Sequence, residues 1–284
     1  MTYGFRIGAS TDVGAQRDLQ QDSYALAADV VVVADGMGGH RGGEVASALA
    51  ASEMIAQYKT PQIEALVYGV EQANSKILDE AATNPNLRGM GTTVVALALI
   101  EVGDAIALGA INVGDSRMYR LTGDTLEQLT EDHSLVEALV REGRITPAEA
   151  EVHPQRNIVT RALGVADHVE VDSFHFIPKI GDRYLLCSDG LFNEVDPLGI
   201  AEILAGHKDP QTASNTLVAA ANEGGGRDNI TTVVVDIVAP ENAVMPARTQ
   251  AMANEPPDFD DDTTDVMVVD TPAADAKPRW SWRR

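Results

Sequence analysis

The stretch Val30-Val31-Val32-Val33-Ala34-Asp35-Gly36-Met37-Gly38-Gly39 runs a strand-like apolar segment straight into an Asp-Gly pair. The pattern recurs along the chain. Tyr184-Leu185-Leu186-Cys187-Ser188 leads into Asp189-Gly190, and Asp228-Asn229 opens onto Ile230-Thr231-Thr232-Val233-Val234-Val235. Asp22 stands ahead of the first run. A carboxylate at a strand end is held by the sheet yet points out of it. Several such ends converging gather hard oxygen donors of the kind that hold Mg²⁺ or Mn²⁺. Each dipeptide alone reads as a turn, because Asp and Gly tolerate positive φ. The series, not any single member, outlines a metal site.

Outward from these runs, alternation predicts a first strand over 3–8 and a pair of strands over 24–34. Residues 44–58 and 63–82 carry apolar side chains at helical spacing. Two continuous apolar runs, 92–100 and 105–113, read as a hairpin of buried strands around Gly103-Asp104, followed by shorter strands over 118–121 and 125–129. A helix over 133–141, strands over 169–177 and 183–187, helices over 198–205 and 212–222, and a last strand over 230–238 complete the order. Strands and helices grouped in this way suit an α+β layered arrangement.

The chain has 284 residues, 44% of them hydrophobic, enough to bury a substantial core. A net charge of −22 argues against nucleic acid, whose phosphates such a surface repels. Bound divalent cations reconcile that acidity with an anionic substrate, because they invert the local field. A single cysteine, Cys187, excludes an internal disulfide and fits a reducing cytoplasm. The N-terminus has no basic region leading into an apolar stretch, and no apolar run approaches the ~20 residues of a spanning helix. The expectation is a soluble cytoplasmic protein. Beyond Ala239, repeated prolines and the acidic run Asp258, Asp260, Asp261, Asp262 predict a disordered tail over 240–284 after a folded unit over 1–239. The tail ends in Arg279-Trp280-Ser281-Trp282-Arg283-Arg284, a basic and aromatic peptide suited to weak contact with a membrane surface.

Further segments fall between the strand-end carboxylates: Thr11-Asp12-Val13-Gly14-Ala15-Gln16-Arg17 with Gln21-Asp22-Ser23, then His40 with Gly43-Glu44, Gly91-Thr92-Thr93, Asn112-Val113-Gly114-Asp115-Ser116-Arg117, Asp132-His133-Ser134 and Gly226-Arg227. In order and spacing the whole set resembles the metal-dependent protein phosphatases (the PPM family, protein phosphatase type 2C) in their bacterial form. The resemblance covers residues 3–238. It implies a four-layer α-β-β-α sandwich, two antiparallel sheets packed face to face with helices outside. It implies two Mn²⁺ or Mg²⁺ ions, with Asp35 bridging both, the Gly36 carbonyl on the second, and Asp189 and Asp228 on the first. Asp22 matches a carboxylate that orders metal-bound water, and Arg17 matches the arginine that grips the phosphoryl group. Asp115 matches the carboxylate that recruits a weaker third metal, and reads equally well as a hairpin-turn residue.

The activity so implied is hydrolysis of phosphoserine and phosphothreonine in proteins, through in-line attack by a hydroxide bridging the metals and without a phosphoenzyme. The partners are phosphorylated proteins, substrates of a Ser/Thr kinase. Two alternatives stay open: a catalytically inactive phosphoprotein-binding scaffold of the same fold, against which the full set of carboxylates speaks, and a small-molecule phosphatase. The chain departs from the family at two places. Met37 stands where eukaryotic members carry the histidine proposed as general acid, and Gln20 stands where bacterial members usually have Asn. His40 fits the bacterial pattern as a structural residue. A cysteine phosphatase would need Cys-x5-Arg, but Asn193 is the sixth residue after Cys187. Residues 146–164 resemble the family's flap, where Arg156 and Arg161 read either as substrate contacts or as part of a variable segment.

Overall fold

The computed structural model describes residues 3–38 and 42–244. His40 and the terminal aromatic-basic peptide lie outside the described residues. The run at Val30–Met37 (β3) explains why its apolar residues do not alternate with polar ones. Val31 and Val33 face a core shared with Val95, Leu97, Tyr184, Leu186, Val233 and Val235. Val30 and Val32 face the other way, into a core with Ala46, Ala50, Met54, Leu66 and Ile77. A sheet covered on both faces selects continuous apolar strands.

β3 belongs to a sheet ordered β2 (Asp22–Leu26), β3, β5 (Val94–Val102), β6 (Ala105–Val113), β9 (Asp172–Phe176). A second sheet is ordered β1 (Gly4–Asp12), β11 (Ile230–Val238), β10 (Arg183–Cys187), β7 (Arg117–Thr122), β8 (Thr125–Gln128). All neighbouring strands in both are antiparallel. Helices α1 (Gly42–Gln57) and α2 (Ile63–Thr83) cover the outer face of the first sheet. Helices α5 (Asp189–Phe192), α6 (Pro197–Gly206) and α7 (Pro210–Gly224) cover the second, packing Leu191, Ile200, Leu204, Leu217 and Ala221 against Leu185 and Val234. The result is the expected four-layer sandwich. Asp196 and Asp209 start α6 and α7 by accepting hydrogen bonds from Gly199 and Thr212 backbone N–H groups, each followed by Pro at the first helical position.

Local differences from the expected elements have physical causes. Asp35-Gly36 lies inside a strand, because the two-residue β4 (Gly91–Thr92) prolongs the pairing of β3 by setting Gly36 opposite Thr92. Asp189-Gly190 opens a one-turn helix instead of a turn. Between β8 and β9 two short helices, α3 (Leu135–Arg141) and α4 (Pro147–Glu151), bury no residue completely. The chain also stays ordered past the expected break at Ala239: Pro240–Asn242 forms a 3-10 turn and Val244 bridges to Arg6 beside β1. Among the described residues no helix is long and apolar enough to cross a membrane.

Candidate active site

At one end of the sandwich β3, β6 and β10 finish while β2 and β11 begin, and the five candidate carboxylates gather there. Asp22 is buried and Asp35, Asp115, Asp189 and Asp228 are half-buried. Antiparallel register sets Asp22 directly opposite Asp35. Ser188 links the two sheets at this point. Its hydroxyl donates to Asp22 Oδ2 at 2.6 Å and accepts from the Thr231 N–H at 2.9 Å.

Asp35 is held through its backbone. Its N–H donates to Thr93 Oγ1 at 3.0 Å, and its carbonyl accepts from the Thr93 N–H and the Thr92 hydroxyl, both at 2.9 Å. Asp189 Oδ2 accepts from Asn193 Nδ2 at 3.1 Å. Asp228 Oδ2 accepts from Arg17 Nη2 at 2.7 Å, while its Oδ1 accepts from the Asn229 N–H. Asp115 follows Gly114, whose φ of +109° and crowding by Thr93 make the position unsuited to a side chain.

Burial is the main force on these carboxyls, and their mutual repulsion adds to it. Asp35 is raised well above the ordinary carboxylate range by burial, then by the charges of Asp22, Asp189, Asp115 and Asp228. Burial pushes Asp22 up to about 6, against hydrogen bonds that pull it down. Asp189 is pushed up to about 8 by burial and then by Asp115 and Asp228. Asp115 rises to about 6 through burial and the charge of Asp132. Asp22 Oδ1 is buried without a hydrogen-bond partner, which is costly for a carboxylate. Crowded, desolvated oxygens with one orphan acceptor fit hard divalent cations, which would relieve the repulsion and bring water to the orphan oxygen. Among the described residues, however, no three His, Cys, Asp or Glu already stand close enough to hold one ion as they are. Asp228 is turned to Arg17.

Backbone crowding requires glycine at Gly36. A Cβ there would lie 2.1 Å from Gly43 O and 2.4 Å from Gln21 O, so β3 passes between two backbones. Arg117 grips Asp132 through Nε and Nη2 and lies 3.7 Å over the Phe192 ring, a structural tie. His133 Nδ1 accepts from the Gly114 N–H at 2.9 Å, and its Nε2 lies 3.2 Å from Asp172 Oδ2 and 2.9 Å from Arg161 Nη1. Arg161 donates to Asp172 Oδ1 at 2.6 Å and to Glu170. It is engaged within the chain and partly exposed, whereas Arg156 is exposed. Gln20 spans Thr11 and the Asp22 N–H. Cys187 is fully buried, and burial pushes its thiol far up.

Ser188, Thr93, Asn193 and Asn229 support the site without having been singled out from sequence. Three of them stand in quoted motifs, but no spacing rule names their partners.

A family model described as Protein phosphatase 2C matches residues 15–219. The chain belongs to this family. It is 43% identical over 215 residues to the serine/threonine phosphatase stp of Listeria innocua, covering 73% of this chain and 84% of that protein. It is 38% identical over 243 residues to the protein phosphatase PhpP of Streptococcus pneumoniae, covering 81% and 97%. The crystal structure of the Mycobacterium tuberculosis serine/threonine phosphatase PstP/Ppp superposes with a TM-score of 0.77 at 39% identity, over 83% of this chain and 99% of that one. The PstP catalytic domain solved in complex with two manganese ions superposes with a TM-score of 0.74 at 38% identity, over 84% and 100%.

Proposed function

We propose that the protein hydrolyses phosphoserine and phosphothreonine in phosphorylated proteins, with two Mn²⁺ or Mg²⁺ ions held by Asp35, the Gly36 carbonyl, Asp189 and Asp228. It is a metal-dependent protein-serine/threonine phosphatase. The observation that carries the assignment is the meeting of five carboxylates from separate segments around a partnerless Asp22 oxygen, where the charges of the other four add to burial in raising Asp35. A divalent pair supplies positive charge to the phosphoryl oxygens and makes bound water acidic enough to react near neutral pH.

The chain's own residues supply the rest. Asp22, fixed by Ser188, keeps its free oxygen to accept a hydrogen bond from water entering the site. Arg17, on an exposed loop beside Asp228, offers a guanidinium fork that stays charged throughout and pairs with phosphoryl oxygens. Met37 cannot donate a proton, so the general-acid role is either vacant or filled by metal-bound water. Asp115 is assigned to a weaker third cation. Catalysis resides in residues 1–239, and the tail from 240 onward carries no candidate residue. The natural partners are phosphoproteins made by a Ser/Thr kinase, and the working compartment is the cytoplasm.

The test is turnover of a phosphothreonine peptide and of free small phosphate esters, with Mn²⁺, Mg²⁺ or EDTA. Metal-dependent release of phosphate, favouring the peptide, is expected. Equal turnover in EDTA would overturn the metal assignment, and preference for a small ester would move the substrate class.

A further inference from the structure

Arg17 projects from residues 13–21, a segment without helix or strand whose exposed Leu19 gives it little apolar anchorage. Its shape therefore rests on hydrogen bonds, and several of these go to the segment just before β11. Gly226 O accepts from the Ala15 and Gln16 N–H groups at 2.8 and 3.1 Å. Gly14, at φ +82°, lets the Asp228 carbonyl approach where a Cβ would lie 2.2 Å away. Those contacts are backbone and say nothing of residue type, but Asn229 is different. It is buried, 4% exposed, and its side-chain amide spends every polar atom on the Arg17 segment. Nδ2 donates to Val13 O at 2.8 Å and to Leu19 O at 2.9 Å, and Oδ1 accepts from the Gln21 N–H at 2.7 Å. Two carbonyls and one N–H around a single side chain fix the amide's orientation, since only the reverse placement would set like against like. One side chain thus ties down both ends of the loop that carries Arg17, with Arg17 itself left projecting to Asp228.

We infer that Asn229 is the positioning residue for the phosphate-gripping arginine: its amide sets the 13–21 loop so that the Arg17 guanidinium meets the phosphoryl group. The inference rests on the reading of Arg17 as that grip. Asn is required because neither Asp, its near-isostere, nor Leu, which has the same branched outline, can donate to both carbonyls. Holding a charged group in place matters because a displacement of about 1 Å can cost up to about 100-fold in rate.

A double-mutant cycle on the full chain tests it. Arg17→Ala, Asn229→Ala, Asn229→Leu and the Arg17→Ala/Asn229→Ala double variant are assayed with a phosphothreonine peptide at saturating Mn²⁺. Inhibition by inorganic phosphate, the Mn²⁺ concentration for half-maximal activity and Tm are measured beside it. Asn229→Ala should lower kcat/KM on the order of 10-fold, weaken phosphate inhibition and leave the Mn²⁺ requirement unchanged. Asn229→Leu should lower kcat/KM as Ala does, despite its similar branched outline. In the double variant, Asn229→Ala should add less than about twofold to the loss from Arg17→Ala, since residues acting through one contact are not additive.

Losses that multiply in the double variant, or recovery with Leu, would overturn the inference while leaving Arg17 in place. A shift in Mn²⁺ requirement with phosphate inhibition unmoved would assign Asn229 to Asp228 instead. An Arg17→Ala protein as active as the parent would remove the grip and this inference together. Should Asn229→Ala fail to fold, Asn229→Ser, which retains one donor, runs the same cycle and decides by the same criteria.

Discussion

Asp22 and Asp35 face each other across β2 and β3 in direct antiparallel register, two carboxylates on adjacent strands of a sheet. Like charges directly opposite destabilise a strand pair. Here Asp189, Asp115 and Asp228 add to the repulsion on Asp35. Such an arrangement trades stability for a site, and this gives the first prediction. Asp35→Asn should abolish metal-dependent turnover while raising Tm in EDTA, because one repelling charge is removed. Asp228→Ala should likewise abolish turnover and leave the fold intact. Mn²⁺-dependent activity near the parent's in either protein would overturn the site.

The raised carboxyls set a pH dependence with a defined sign. Asp22 and Asp115, pushed up to about 6, and Asp189, pushed up to about 8, hold their protons more tightly in the folded state than in the unfolded chain, where the ordinary value is 3.8. Their stabilisation is full below about pH 4 and lost as pH rises through about 6 and then about 8. In EDTA, Tm should therefore fall between about pH 5 and about pH 8. The fall should be shallower in Asp189→Asn, and saturating Mn²⁺ should flatten it in the parent. Identical pH slopes for parent and variant would mean that the cluster does not titrate together.

Arg17 Nη2 reaches Asp228 at 2.7 Å while the side chain stays half-exposed. Arg17→Ala should lower kcat/KM by about 10- to 1,000-fold, the range for one charged contact with a transition state. Arg17→Lys should recover only part, since an ammonium lacks the planar fork. Steady-state kinetics equal to the parent's would place Arg17 on the surface.

Cys187 lies at the end of β10 with no exposure, and burial opposes the thiolate. Cys187→Ser should keep most activity, whereas EDTA should remove it and Mn²⁺ restore it. Chelator-resistant activity lost only in the serine variant would point to thiol chemistry instead.

Deleting residues 245–284 should leave hydrolysis of a small phosphopeptide unchanged, because every candidate residue precedes them. The deletion starts after Val244, since that residue bridges to Arg6. Co-sedimentation with anionic liposomes at low salt would compare full-length and truncated proteins. Equal partitioning would rule out a membrane role for Trp280, Trp282 and the neighbouring arginines.

The sequence by itself set the order of strands and helices and marked the strand-end carboxylates, while the four layers came from the family resemblance. Unbroken runs such as 30–34 and 230–235 can belong only to strands or buried helices, and their brevity and β-branching select strands. Asp35, Asp189 and Asp228 stand out because a carboxylate after such a run is informative even before its partners are known. Tertiary structure decided what each side chain is tied to. Arg17 meets Asp228, Asn229 holds Val13 and Leu19, and Ser188 donates to Asp22, all across more than 160 positions of chain. Arg161 likewise donates to Asp172. Apolar periodicity is written locally, because burial acts on each residue's own face. A hydrogen bond needs two groups within about 3 Å at a set angle, and which distant groups meet that condition is fixed only when the sheets pack.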